Sequence, residues 1–140
     1  MVDRNLILRK ISELEEYSGQ IREFSDISVE QYALDWKVQR IVERTLQMMI
    51  ELCVDIANHI ISDKNLRVPV TYADTFRVLF ENDLIDKPLY ETMDKMAKFR
   101  NIVVHDYDKI DQTIVVSILR KHLDSFLVFR DRILQVLSSS

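Results

Sequence analysis

The residues with the greatest chemical potential lie within one stretch of ten, 98–107, which reads Lys-Phe-Arg-Asn-Ile-Val-Val-His-Asp-Tyr. It contains a cation, an imidazole and a phenol at Arg100, His105 and Tyr107. A guanidinium stays charged at any physiological pH, whereas an imidazole exchanges a proton near neutrality. A fixed positive charge near a proton carrier is what the cleavage of a phosphate ester requires.

Arg100 lies where an apolar residue is expected. The inner face of its predicted helix runs from Met93 through Met96 to Arg100, and then on to Tyr107. A guanidinium held against a core needs a carboxylate partner, backbone oxygens, or an opening where it meets an anion. Only the third arrangement makes a phosphate site, so the chemical hypothesis predicts that Arg100 is accessible and not neutralised by an acidic neighbour.

Helical spacing does not by itself bring the motif together. In an unbroken helix Arg100 and Tyr107 lie within about 20° of each other, while His105 lies about 140° from Arg100 and beside Asn101. His105 and Arg100 converge only if the helix ends or bends near His105, or if a second copy of the chain supplies one of them. Because such a set near a helix end is more often a structural network, the spacing alone favours a structural role.

Capping residues predict five helices with short connections. A side chain that accepts a hydrogen bond from the first turn marks each expected helix start, and Pro88 lies in the first turn of the fourth. The predicted helices cover 3–22 from Asp3, 28–62 from Ser28 with Gln31, 71–82 from Thr71 with Asp74, a fourth from Asp86 into the Arg100 segment, and a fifth from Asp111. Such a chain forms an all-α, mostly antiparallel bundle.

The second predicted helix has a narrow polar stripe, so most of its circumference should be buried. The stripe consists of Arg40, Arg44, Gln47, Glu51, Asp55 and Asn58. The apolar residues between them, beginning with Trp36, are predicted to lie in the core. These apolar faces exceed what one small bundle needs, which favours a two-fold homodimer.

The composition sets the class of protein. A chain of 140 residues with one glycine and two prolines fits a single all-helical domain spanning 1–140. Its single cysteine, Cys53, cannot form an internal disulfide, and no apolar run approaches the ~18 residues of a membrane span. We therefore expect a cytoplasmic protein that does not interact with membranes.

Charge and motif content exclude several other functions. A formal charge of −4 argues against a broad nucleic-acid-binding surface, so any RNA contact must be local, with Lys95, Lys98 and Lys109 as flanking candidates. His59 and His122 have no partners at metal-ligand spacing, so no metal site or cofactor is expected. The lack of a glycine-rich phosphate loop argues against a kinase or nucleotidyltransferase.

The motif and its surroundings resemble one known family. Arg100, four residues, His105, one residue and Tyr107 are similar to the signature of HEPN-domain toxins of the HepT family. The segment 73–82 resembles that family's third helix, and 55–62 resembles the end of its second helix. The likeness extends over most of the chain and includes Asn101.

The resemblance implies a metal-independent endoribonuclease toxin of a toxin-antitoxin system. It implies a homodimer whose two motifs face a shared cleft, with Arg100 and His105 catalytic and Asn101 and Tyr107 supporting. It also implies a MntA-like nucleotidyltransferase antitoxin that transfers AMP from ATP to Tyr107. Two other functions remain open: a non-catalytic, nucleotide-binding partner subunit of a minimal nucleotidyltransferase, and a purely structural dimerisation bundle.

Overall fold

The computed structural model describes residues 3–139, which contain helices and no strands. The connections include short 3-10 turns at Arg22–Phe24 and Tyr107–Lys109. The α-helices in this range are α1 (Arg4–Ile21), α2 (Val29–Leu34), α3 (Trp36–Asp63), α4 (Tyr72–Glu81), α5 (Lys87–His105), α6 (Gln112–Ser117) and α7 (Asp124–Ser138). The predicted all-α class is therefore confirmed, although the five-helix count differs from the observed seven.

The predicted capping residues begin their helices as expected. Asp3, Thr71 and Asp86 each accept a hydrogen bond from the backbone N–H three residues later. Ser28 and Gln31 form a complete capping box, because each side chain bonds the other residue's backbone. Each bond satisfies an N–H group that the helix itself leaves unpaired, so these local sequences fix the helix starts.

The prediction of one continuous helix over 28–62 is wrong at Asp35. The backbone of Asp35 is extended (φ −122°, ψ 92°), and its carboxylate accepts a hydrogen bond from the Val38 N–H at 3.1 Å. Asp35 thus ends α2 and caps α3, a role that aspartate favours over a helix interior. Trp36 becomes the first residue of α3 and is 63% exposed, so its predicted place in the core is also wrong.

The predicted fifth helix corresponds to α6, a π-helical segment and α7, which follow one another directly. Between α6 and α7 lies a π-helical segment, Ile118–His122, and the backbone of Ile118 and Leu123 stays right-handed helical. The break at Asp35 and this π segment account for the difference between five and seven helices. Ile114 on α6 is half-exposed.

Helix α3 lies at the centre of the bundle, where it contacts α1, α2, α4, α5 and α7. Most of its apolar residues are buried, as in the case of Leu46 and Ile50, although Trp36 and Ile41 are exposed. The predicted polar stripe is exposed or half-buried. The core also contains Phe76 and Phe129, whose rings meet edge to face at 5.8 Å. Polar side chains on α3 are therefore well placed to reach several other helices.

Two local features position the motif. Arg67 forms ion pairs with Asp74 and Glu81, which fix the connector before α4 and hold the pKa of Asp74 at about 2. Helix α5 ends at His105, because Asp106 leaves the helical region (φ −132°, ψ 49°), and the chain turns into the 3-10 segment that carries Tyr107.

None of the helices within residues 3–139 is both long and apolar enough to cross a membrane.

Candidate active site

Arg100 is held by a carboxylate on the central helix. Its Nε atom donates to Oε2 of Glu51 at 2.8 Å, and its Nη2 atom lies 2.7 Å from the same oxygen. Its Nη1 atom donates to Oδ1 of Asn101 at 3.3 Å. The Arg100 side chain is only 15% exposed, so α3 and α5 hold a partly buried ion pair between them.

Two further side chains immobilise this pair. The guanidinium carbon of Arg100 lies 4.5 Å from the centre of the Tyr72 ring at the start of α4, a favourable cation–π arrangement. Gln47, one turn before Glu51, donates to Glu51 Oε2 at 3.2 Å. The guanidinium therefore has a fixed direction, set by residues of three helices.

The expectation that Arg100 has no acidic partner is wrong. Of the three arrangements that the sequence left open, the structure contains the carboxylate partner. The reason is physical, because a partly buried guanidinium needs a nearby negative charge. An arginine has five N–H donors, and the contacts to Glu51 and Asn101 use three of them, so these partners leave two N–H groups unbonded.

His105 lies apart from Arg100. It is the last residue of α5 and is exposed. Within residues 3–139 no hydrogen bond or ion pair joins His105 to Arg100 or to Asn101, whose side-chain oxygen accepts from Arg100 instead. The divergence of about 140° expected from helical spacing thus persists within a single chain.

Tyr107 forms a second polar cluster with residues of α3. Its hydroxyl donates to Oε1 of Glu43 at 2.7 Å, and the guanidinium carbon of Arg40 lies 5.1 Å from the centre of its ring. Partial burial and the Glu43 carboxylate raise the pKa of the Tyr107 hydroxyl. Because α5 ends two residues earlier, Tyr107 does not continue the face of Arg100 as the sequence predicted.

Comparison with known proteins places the chain in a family. The family model described as ribonuclease HepT-like matches residues 14–133. An mRNA nuclease HepT from Shewanella oneidensis is 37% identical over 128 residues, which is 91% of this chain and 95% of the relative. The chain belongs to the ribonuclease HepT-like family.

Other HepT-like relatives agree with this membership. A tRNA nuclease HepT from Aphanizomenon flos-aquae is 26% identical over 113 residues, 81% of this chain and 77% of the relative. The solved structure of a tri-AMPylated Shewanella oneidensis HEPN toxin in complex with MNT antitoxin has 36% identity and a TM-score of 0.86, covering 96% of this chain and 99% of that chain. The predicted family and the predicted enzyme class, a ribonuclease, are confirmed.

Four residues that contact the HepT motif were not predicted as site residues: Arg40, Glu43, Glu51 and Tyr72. Arg40 and Glu51 were placed on the polar stripe of α3 and assigned to solvent. The sequence could have identified Glu43, because it is a carboxylate on an apolar helix face, which is the same kind of anomaly that identified Arg100. Tyr72 gives no signal in the sequence that separates it from an ordinary core aromatic.

The remaining candidates are outside these clusters. Lys98 pairs with Asp94 on its own helix at 2.9 Å, and Cys53 is buried, which raises the pKa of its thiol. His59 lies 3.6 Å from Asp55. The described part of the chain holds no group of three or more His, Cys, Asp or Glu side chains arranged to bind a metal ion.

The Arg100–Glu51 pair should be measurable as a coupling free energy. In a double-mutant cycle with Arg100→Met and Glu51→Gln, we expect a coupling of about 1 kcal/mol in the free energy of unfolding, because the pair is partly desolvated. The matched control is the exposed Lys98–Asp94 pair on α5, for which about 0.3 kcal/mol is expected. Chemical denaturation gives both values, and equal coupling for the two pairs would contradict the partial burial of Arg100.

Proposed function

We propose that this protein is an endoribonuclease toxin that cleaves RNA with Arg100 and His105 and is neutralised by AMPylation of Tyr107. The observation that supports it best is the immobilised guanidinium of Arg100 within the complete HepT motif. Its pairing with Glu51 and its stacking on Tyr72 fix two unused N–H groups in advance. Donors fixed before the reaction stabilise developing charge without a cost of reorganisation.

The chemistry needs no metal ion. His105 accepts the proton of a ribose 2′-hydroxyl as that oxygen attacks the adjacent phosphorus atom. Arg100 stabilises the additional negative charge of the phosphorane. The bond from phosphorus to the 5′-oxygen then breaks, and that oxygen leaves with the electron pair and takes a proton from water. The products are a 2′,3′-cyclic phosphate and a 5′-hydroxyl end. Asn101 keeps Arg100 oriented, and Tyr107 contacts a base of the RNA.

A homodimer accounts for the separation of His105 from Arg100 in a single chain. An apolar groove of about 400 Å³ lies between α5 and the π segment and is lined by Phe99, Ile102 and Ile114. His105 follows Lys98 by seven residues and thus lies near this side of α5. A second copy that covers the groove under two-fold symmetry places His105 of both protomers near the shared interface, and we propose that His105 of one protomer completes the site of Arg100 in the other.

The regulatory partner is a MntA-like nucleotidyltransferase. Tyr107 lies in an exposed 3-10 turn immediately after α5 and is itself 43% exposed, so another protein can approach its side chain. The attached AMP is bulky and anionic, so it excludes RNA from the cleft between the protomers. The proposed substrate is single-stranded RNA, since unstacked bases are the ones that an aromatic side chain can contact. The named relatives act on mRNA and tRNA.

Replacing His105 should abolish RNA cleavage. The purified protein should degrade single-stranded RNA in the presence of EDTA, and His105→Ala should lower the rate by a factor of about 10² to 10⁴ through loss of the proton carrier. His59→Ala, which removes a histidine paired with Asp55 on α3, serves as the matched control and should retain the wild-type rate. Circular dichroism should show the same thermal unfolding for both variants.

Two results would contradict this proposal. Equal cleavage by wild type and His105→Ala would mean that a contaminating nuclease is responsible. Absence of cleavage by pure wild-type protein, together with ATP-dependent binding of the nucleotidyltransferase, would instead favour a non-catalytic partner subunit.

Sites shared between protomers predict complementation. Arg100→Ala and His105→Ala should each be inactive, and a refolded equimolar mixture should recover about one quarter of the wild-type rate. The estimate follows from two-fold symmetry, since half of the dimers are mixed and each mixed dimer has one of its two sites intact. Sedimentation should confirm that all three samples are dimers. A mixture as inactive as its components would mean that each site is built within one chain.

AMPylation should occur at Tyr107. After incubation with the nucleotidyltransferase and ATP, peptide mass spectrometry should place AMP on Tyr107, and the modified protein should lose RNA cleavage because the cleft is occupied. Tyr72→Phe is a suitable control, because it keeps the ring under Arg100 while removing another phenol. Modification at a different residue would contradict this account of the inhibition.

A further inference from the structure

Glu43 is a buried carboxylate that RNA cleavage does not use. It lies on the inner side of α3 and is 6% exposed, although burial of a charged carboxylate is unfavourable. Its positively charged neighbour is Arg40, one turn earlier, at 3.6 Å. Nearby, the hydroxyl of Tyr32 on α2 is buried without a hydrogen-bond partner in the described residues.

Glu43 contacts the atom that the proposed modification alters. Its Oε1 atom accepts the proton of the Tyr107 hydroxyl at 2.7 Å, which is a short, charge-assisted hydrogen bond. Burial and the Glu43 carboxylate both raise the pKa of the Tyr107 hydroxyl above the ordinary value of a phenol. A neutral phenol is a weak nucleophile, and its proton must therefore leave while the oxygen attacks.

We propose that Glu43 is the general base for AMP transfer to Tyr107, an inference that rests on the proposed function. As the Tyr107 oxygen bonds to the α-phosphorus of ATP, its proton passes to Oε1 of Glu43. The bond from the α-phosphorus to the oxygen that bridges to the β-phosphate breaks, and pyrophosphate leaves with the electron pair. The toxin thus supplies the base for its own modification, and the nucleotidyltransferase supplies ATP.

The charges around Arg40 suit this exchange. Before the reaction Arg40 lies beside the Glu43 carboxylate and over the Tyr107 ring. When Glu43 accepts the proton it becomes neutral, so Arg40 loses its anionic partner. The new phosphodiester on Tyr107 carries one negative charge next to the exposed Arg40 side chain. One anion replaces another beside the same cation, so Arg40 stabilises both the starting state and the product.

The test uses Glu43→Gln, because the glutamine side-chain oxygen still accepts a hydrogen bond from Tyr107 but cannot take up its proton. The full-length toxin variant is mixed with the MntA-like nucleotidyltransferase, ATP and Mg²⁺, and intact-mass spectrometry gives the initial rate of AMP incorporation. At pH 7 we expect a rate lower by a factor of about 10² or more. Glu43→Asp, which keeps a carboxylate, should recover part of the rate.

The pH dependence separates a base from a residue that only orients Tyr107. Without a base the reaction depends on the phenolate, whose fraction rises about tenfold per pH unit below its pKa. The ratio of wild-type to Glu43→Gln rates should therefore shrink steadily from pH 7 to pH 9. If the ratio instead stays constant from pH 7 to pH 9 and Glu43→Gln is slow throughout, Glu43 has a positioning role and the proposal is overturned.

Two controls distinguish a failure of the general-base proposal from a failure of the proposed function. Glu30→Gln makes the same chemical change at an exposed position on neighbouring α2 and should react at the wild-type rate. Tyr107→Phe should incorporate no AMP. Continued modification of Tyr107→Phe would refute the modification site itself. A wild-type rate for Glu43→Gln, with Tyr107→Phe inert, would refute only the base and assign the proton to a group of the nucleotidyltransferase.

Discussion

A guanidinium that is mostly withdrawn from water needs a fixed negative charge, and Glu51 supplies it to Arg100. This pair spans the central helix α3 and the helix that carries the HepT motif, and Tyr72 extends it to α4. Because the carboxylate is itself held by Gln47, the direction of the guanidinium is determined before any substrate arrives. The remaining features of the proposed active site depend on this orientation.

Two aspartates that interrupt helices give the site its shape. Asp35 separates α2 from α3, and Tyr32 on α2 is fully buried in the core. Asp106 ends α5 immediately after His105, so that Tyr107 folds back onto α3 instead of continuing beside Arg100. A regular helix through Asp106 would carry Tyr107 along the axis of α5, away from Glu43. The end of α5 therefore divides the short motif, with Arg100 in a cluster around Glu51 and Tyr107 in a cluster around Glu43.

The features that were predicted correctly from the sequence are those that local interactions determine. Helix starts at Ser28 and Asp86, and the anomaly at Arg100, depend on neighbouring residues and are visible in the sequence. The break at Asp35 was missed because aspartate is tolerated within helices and no glycine or proline marks the place. The partners Glu51 and Glu43 lie 49 and 64 residues from Arg100 and Tyr107, a separation across which spacing carries no information.

The two carboxylates share one rigid element, and this has a consequence for the selection of escape variants. Glu43 and Glu51 are eight residues apart on α3, a rise of about 12 Å. A substitution that slides or rotates this helix displaces the counter-ion of Arg100 together with the acceptor of the Tyr107 proton. A toxin that evades its antitoxin through such a shift would also lose potency, so resistance to control and loss of toxicity would arise together.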